Sequence, residues 1–387
     1  MKQDYQDIIH YLEENHYHIE PVPTYQTANY DFGEECAIAF PIQGLLKYHG
    51  MLDSYERIAL FPSISLNNDA FYTVTYLKFD PDLIEDIFYL NGKVQSHNNE
   101  YERVKFQLNK IRNHAGVQSK AFIISRNFTR TDSAQLSGKG LGTSAAGGAA
   151  IARAAFSILY KDKIYANNSR LQSVFSRYLS GSAARSSVGG FALWMSKPDR
   201  ETWNSYAIRL DTPEYEDFIN TISLISIPFS SSFSTSLAHR LAPSSPFYQK
   251  WCLSRKEKIF KFLQAFQDRD FKIIGELAEE DSRILHQISN TADFGLTYWN
   301  DKTRELMNYA DQMKKKGIPV YYTIDTGPSV VFLTQKKYED QIIQDLHLQF
   351  KLSSKIFRGS VAGPSKLIPP NSNLIHLLDD DFEKFSS

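Results

Sequence analysis

Four short segments carry the residue types from which a reaction could be built. The first, Ser137-Gly138-Lys139-Gly140-Leu141-Gly142-Thr143-Ser144-Ala145-Ala146-Gly147-Gly148, joins a glycine-rich loop to a run of small residues. Glycines let successive backbone N–H groups turn toward one point, and a helix start adds partial positive charge, so the place suits a phosphate. A tight turn before a closely packed helix is the plainer reading. The spacing is not that of a Walker loop, and no Gly-x-Gly-x-x-Gly follows a strand here. The second segment, Ser180-Gly181-Ser182-Ala183-Ala184-Arg185-Ser186-Ser187-Val188-Gly189-Gly190, sets one arginine among small residues. Its guanidinium can hold a carboxylate or phosphate through two parallel hydrogen bonds, or make an ordinary surface salt bridge. In the third, Thr323-Ile324-Asp325-Thr326-Gly327-Pro328-Ser329, Asp325 ends an apolar strand before a Gly-Pro turn, a position that a turn-capping aspartate also explains. In the fourth, Leu45-Leu46-Lys47-Tyr48-His49-Gly50, a lysine stands among apolar neighbours, where it either serves a buried site or lays its stem along the surface.

The elements that must position these residues read as an α+β protein. A short amphipathic helix opens the chain, with Ile8, Ile9 and Leu12 among acidic residues, and residues 1–35 form an N-terminal extension. Strands are expected over Ala37–Phe40, Arg57–Ser65, Ala70–Phe79 and Lys120–Asn127, where β-branched and aromatic residues dominate, with a turn at Asn67-Asn68-Asp69. Apolar spacing predicts helices over Pro81–Asn91, Tyr101–Ala115 and Arg170–Leu179, and a small-residue helix over Ala145–Ala155. Strands follow at Gly189–Met195 and Ser205–Leu210, and Asp211-Thr212-Pro213 breaks the pattern, dividing a first lobe over 36–212 from a second over 213–387. The second half holds strands at Ile222–Ile227, Pro319–Ile324 and Val330–Thr334. Its helices are two long ones between Ser254 and Ser289, then Lys302–Lys315 and Tyr338–Leu348. Strands and helices alternate without a strict βαβ rhythm, which argues against a doubly wound sheet.

Composition narrows the function classes. The chain has 387 residues, 43 basic and 44 acidic, so its formal net charge of -1 offers no global field for nucleic acid or an anionic membrane. No stretch approaches the roughly 18 apolar residues of a membrane span. Only two cysteines, Cys36 and Cys252, are present, as expected of free thiols in a reducing cytoplasm. Ten histidines are scattered without Cys or carboxylate companions at ligand spacing, so no structural metal is expected.

In their order and separations the four segments resemble the mevalonate diphosphate decarboxylase family of the GHMP kinase superfamily. That family carries Lys-Tyr-Trp-Gly, a phosphate loop ending Gly-Leu-x-Ser-Ser-Ala-Ala, Ser-Gly-Ser-x-x-Arg-Ser and Asp-x-Gly-Pro. Lesser echoes are Ser63-Ile64-Ser65-Leu66, Asp281-Ser282 with His286, Tyr298 and Asn300-Asp301, and Gly363-Pro364. The resemblance spans about residues 36–365 and implies a two-layer fold with two lobes around a deep cleft. It also implies a homodimer. Carried over by position, it makes Asp325 the catalytic aspartate near C3 of a phosphorylated mevalonate and Arg185 the carboxylate-binding arginine. Lys47 becomes the lysine beside the reacting phosphate, and Ser182, Tyr48 and Ser186 become substrate-binding residues. Lys139, Gly140, Gly142, Thr143 and Ser144 match the phosphate loop. Such charges suit a reaction in which positive charge grows on C3 and negative charge on the departing phosphate.

Departures from the family pattern are equally specific. Leu136 replaces the proline that starts the phosphate loop, an insertion separates Asn127-Phe128 from that loop, and Lys139 lies inside it, which bring ATP binding into question. Met51 replaces the lysine after Lys-Tyr-Trp-Gly, Ile42 replaces an asparagine, and His49 replaces the tryptophan, read as a packed histidine. One fewer cation fits a 5-monophosphate better than a 5-diphosphate. The pattern resembles the archaeal branch of the family that takes mevalonate already phosphorylated on O3 and O5 and forms isopentenyl phosphate without ATP. An ATP- and Mg-dependent decarboxylase, a mevalonate kinase and a silent sensor of isoprenoid precursors are the alternatives.

Overall fold

The computed structural model describes residues 2–130, 142–230, 235–350, 352, 356–379 and 381–382. The chain is α+β, as expected, and builds three main sheets. The first has six strands in the order Lys366–Leu367, Gly33–Ala39, Phe71–Asp80, Lys120–Thr129, Ile87–Leu90 and Lys93–Gln95. All its pairings are antiparallel except Ile87–Leu90 beside Lys120–Thr129, where Tyr89 faces Ile124. The second sheet runs Ser205–Arg209, Phe191–Ser196, Ser63–Asn67 and Ile42–Leu46, and the third runs Tyr321–Thr323, Val330–Gln335, Ile222–Ile227 and Phe357–Gly359. The strand 366–367 thus returns from the end of the chain to the first sheet, against Ala37 and Ile38.

Helices Asn99–Ala115, Thr143–Leu159, Ser169–Arg177 and Ala183–Val188 pack on the first two sheets, and Arg255–Gln267, Phe271–Thr291, Asp301–Lys315 and Glu339–Phe350 accompany the third. Helix Thr143–Leu159 opens on eight small residues in a row, with Ala145, Ala149, Ala152 and Ala155 fully buried, so its backbone lies close to its neighbours. One apolar core runs from this helix layer to Phe262, Phe266 and Leu277 of the second lobe, and a second lies behind the third sheet around Leu306, Tyr309, Phe332 and Leu346. The N-terminal helix Lys2–Glu14 joins the larger core through Tyr5, Ile8 and Leu12, a stripe at helical spacing.

Two expectations fail. Residues 81–91 do not form a helix: Ile87–Leu90 is a strand of a hairpin with Lys93–Gln95, and Ile84, which a helix would have buried, is 94% exposed. The open edge of strand Lys120–Thr129 supplies backbone partners that outweigh the local apolar spacing. The expected strand Arg57–Ser65 is split into Ile58–Ala59 and Ser63–Asn67. Pro62 interrupts it, because proline has no N–H for the ladder. Among the described residues no helix is long and apolar enough to cross a membrane.

Candidate active site

Strand Ile42–Leu46 is bulged between Gly44 and Leu46, and directly after it the side chain of Lys47 turns inward, 3% exposed. Its ammonium group donates to the Gly44 carbonyl (2.5 Å), to the Thr323 hydroxyl and to Asp325 Oδ1 (2.8 Å). Asp325 follows strand Tyr321–Thr323, and its side chain is 43% exposed while its lysine partner is buried beneath it. Gly44 makes room for the pair, since a Cβ there would stand 2.9 Å from Asp325 Oδ1 and 3.0 Å from Lys47 Cδ. A lysine of the first lobe and an aspartate of the second, 278 residues apart, therefore form one ion pair across the lobes.

Both backbones are held by one turn of helix Phe271–Thr291. Asp281 accepts from the Lys47 N–H (2.5 Å), and Ser282 Oγ accepts from the Ile324 N–H (3.1 Å) next to Asp325. Asp281 also binds Arg255 Nη1 (2.6 Å) and Trp251 Nε1 (3.3 Å), while Arg255 Nη2 donates to the Lys47 carbonyl (2.9 Å). Asp281 and Arg255 are 0% and 1% exposed, so Lys47 is clamped at both backbone groups by a buried ion pair. Sequence reasoning missed Arg255 and saw Asp281 only as an echo of the family pattern. His286, one turn further on, makes an Nδ1 contact with the Ser282 carbonyl (2.8 Å), and burial pushes its pKa down to about 3.

Arg185 comes from the short helix Ala183–Val188 and is 1% exposed. Its Nη1 donates to Ser63 Oγ (3.0 Å), at the start of the Ser-Ile-Ser-Leu strand, and its guanidinium stands 5.5 Å from the centre of the Tyr48 ring and 5.8 Å from that of Trp194. Burial lowers its pKa to about 10, and Tyr48 and Asp325 counter that shift, so it stays cationic near neutrality and lies in the field of Asp325. Tyr48 packs edge-on against Trp194 (5.0 Å) and face-on against His239 (4.5 Å), and burial raises its phenol pKa. Lys47, Tyr48, Arg185 and Asp325 are thus brought together.

The remaining expected residues divide. Ser182 is partly exposed, with its hydroxyl 3.0 Å from that of Ser180. Ser186 is fully buried, and its hydroxyl donates to the Phe40 carbonyl (2.6 Å), which fixes the approach to strand Ile42–Leu46. Gly142, Thr143 and Ser144 sit at the start of the 17-residue helix Thr143–Leu159, which has no acidic residue in its first turn. Gly142 has φ +70°, and a Cβ there would meet the Ile42 carbonyl at 3.2 Å, so glycine allows the loop to lie against that strand. Such a helix start fits the phosphates of a nucleotide co-substrate. Lys139 and Gly140 lie outside the described residues. Met51 packs with Tyr48 against Trp194 and Ala184, an apolar contact where the family pattern has a cation.

What this arrangement can do is set a half-exposed carboxylate beside a buried guanidinium, with the ammonium of Lys47, its three N–H groups taken up inside the protein, adding positive charge from beneath. Known proteins match over nearly the whole of this region. Residues 39–207 match the Diphosphomevalonate decarboxylase-like N-terminal domain, and residues 231–375 match the Mevalonate 5-diphosphate decarboxylase C-terminal domain. The phosphomevalonate decarboxylase of Haloferax volcanii is 30% identical over 308 residues, 79% of this chain and 90% of its own. The mevalonate 3,5-bisphosphate decarboxylase of Thermoplasma acidophilum is 25% identical over 355 residues, 91% of this chain and 83% of its own. Among solved structures, mevalonate diphosphate decarboxylase from Staphylococcus aureus superposes with a TM-score of 0.76 at 30% identity, covering 87% of this chain and 98% of that one.

Proposed function

The chain belongs to the mevalonate diphosphate decarboxylase family of the GHMP superfamily, and from that premise we propose that it decarboxylates mevalonate 3,5-bisphosphate to isopentenyl phosphate without consuming ATP. The observation that carries the decarboxylation is the convergence of Lys47, Arg185 and Asp325 on one site. Met51 in the position of the further cation supports a 5-monophosphate, and the altered loop at Leu136 and Lys139 supports independence from ATP. In the reaction the C3–O3 bond breaks with its electron pair going to the departing phosphate. The C1–C2 bond then releases CO2, and its electrons become the C2=C3 double bond. Arg185 holds the C1 carboxylate so that the breaking C1–C2 bond lines up with the emptying orbital on C3. Asp325 offers negative charge to C3, and Lys47, fixed under it, offers a cation to the leaving phosphate.

Because the O3-phosphate is already in place, no phosphoryl transfer is needed, which suits the altered loop at Leu136 and Lys139. Two observations favour a second reading, an ATP-dependent decarboxylase of 5-phosphomevalonate: the likeness to the Haloferax volcanii phosphomevalonate decarboxylase, whose name gives that substrate, and the retained helix start at Gly142–Ser144, which suits a nucleotide. Both readings share the elimination half-reaction and a 5-monophosphate. Asp325→Asn should lower turnover of the bisphosphate by about 10²–10³-fold, the range for one preorganised electrostatic group. A variant with wild-type turnover would remove Asp325 from the chemistry.

A further inference from the structure

Around Tyr48 the structure gathers polar groups that no other described residue satisfies. His49 and His239 are 1% and 7% exposed, and neither ring nitrogen of either has a hydrogen-bond partner among the described residues. Their ring centres are 5.5 Å apart, and His239 lies face-on against Tyr48. Arg185 has an unpartnered, buried Nε, and so has Arg57. Arg57 is held at φ +56°, a backbone region that a side-chain-bearing residue enters only when its surroundings impose it. Buried polar groups in native proteins find partners in protein or ordered water, so six nitrogens without one in a single neighbourhood point to water or a ligand as the missing partner.

The charges around the cluster say what kind of partner. The charged groups acting on His239 are Arg57 and Arg185, and His49 adds to them, all opposing a further cation. Among the described residues, the carboxylates acting on the group do so from its rim: Asp281 beyond His49, Asp325 beyond Arg185 and Glu100 beyond Arg57. Met51 on the same wall adds no charge. Each neutral imidazole has one N–H donor, so a compact anion with several acceptor oxygens would take the two imidazole N–H groups and the two guanidinium Nε–H groups together, leaving one acceptor nitrogen on each ring.

We infer that His239, backed by His49 and flanked by Arg57 and Arg185, is the receiving site for the 5-phosphate of the substrate and sets the preference for a phosphomonoester at that end. This assignment rests on the proposed substrate class, a mevalonate phosphorylated on O5. His49 stands where the family pattern has a tryptophan and reads from sequence as a packed histidine, His239 carries no motif, and together they supply donors that Met51 cannot.

The test is calorimetric titration of the full-length protein with mevalonate 5-phosphate and with mevalonate, on wild type and on His239→Phe and His49→Phe, which keep ring volume. Wild type should prefer the phosphate ester, and each substitution should cut that preference by about 10–100-fold while leaving mevalonate affinity as it was. An unchanged preference in folded variants would overturn the assignment. Should the variants fail to fold, 15N shifts of the wild-type imidazoles decide: those of His239 and His49 should move on adding mevalonate 5-phosphate and stay still on adding mevalonate. Shifts absent with the phosphate ester would equally overturn it. Turnover of a phosphorylated mevalonate by wild type, measured in parallel, separates the two readings. Turnover with an unchanged preference refutes the histidine site alone, and a histidine-dependent preference without turnover refutes the proposed reaction alone.

Discussion

Replacing Asp281 with alanine is the sharpest perturbation the site allows, because it leaves every catalytic side chain in place and removes what holds one of them. Asp281 is fully buried and accepts from Arg255, Trp251 and the Lys47 N–H, and Arg255 is itself 1% exposed. Removing one member of a buried ion pair strands the other charge away from water, at about 3–5 kcal/mol. Against a domain stability of about 5–15 kcal/mol this is a large fraction, readable as a drop in the unfolding free energy from urea titration. Asp281→Ala with Arg255→Met removes the stranded charge as well, so the double variant should be more stable than Asp281→Ala alone. Turnover measured well below the transition should also fall. Lys47 loses its backbone anchor, and a displacement of about 1 Å costs about 10²-fold in a positioned reaction. An Asp281→Ala protein within about 1 kcal/mol of wild type, or strictly additive single and double variants, would refute the clamp.

Acid should weaken the fold through its buried histidines. Burial lowers the pKa of His49 to about 4 and of His286 to about 3, from an ordinary value of 6.5. As pH falls below 6.5 the unfolded chain takes up protons that the folded protein refuses, so stability drops between pH 6.5 and about 4, by up to about 1.4 kcal/mol per pH unit for each histidine. Urea titrations at pH 7.5, 6 and 5 should show that decline, and a flat profile would contradict neutral burial. Leu12→Ala, in the fully buried stripe of the N-terminal helix, should cost about 2–5 kcal/mol by leaving a cavity, with turnover of the folded protein preserved. A loss below about 1 kcal/mol would mean that the helix is not docked in solution.

Most elements of the fold were legible because local patterning and tertiary packing agree in them. The small-residue helix after Gly142, the helix Asn99–Ala115 and the strand Lys120–Thr129 all stand where apolar spacing put them. The hairpin at 87–95 was not, because its strand exists through pairing with a partner more than 30 residues away. For the site, Lys47, Arg185 and Asp325 were each conspicuous in a motif of small or apolar neighbours, and the fold brings the three together. Their support was hidden. Arg255 and Asp281 sit on two amphipathic helices where a charge reads as solvent-facing, and only their meeting behind Lys47 gives them a purpose. His239 is similar: an isolated histidine among Leu237, Ala238, Leu241 and Ala242 carries no signal until Tyr48 stacks on it.

The most direct measurement supplies the purified protein with mevalonate 3,5-bisphosphate and no nucleotide, and follows inorganic phosphate and CO2 together. Both should appear in equal amounts as isopentenyl phosphate accumulates, at a rate that added ATP leaves unchanged. Silence on the bisphosphate, with turnover of mevalonate 5-phosphate only once ATP is present, would contradict the nucleotide-free reaction.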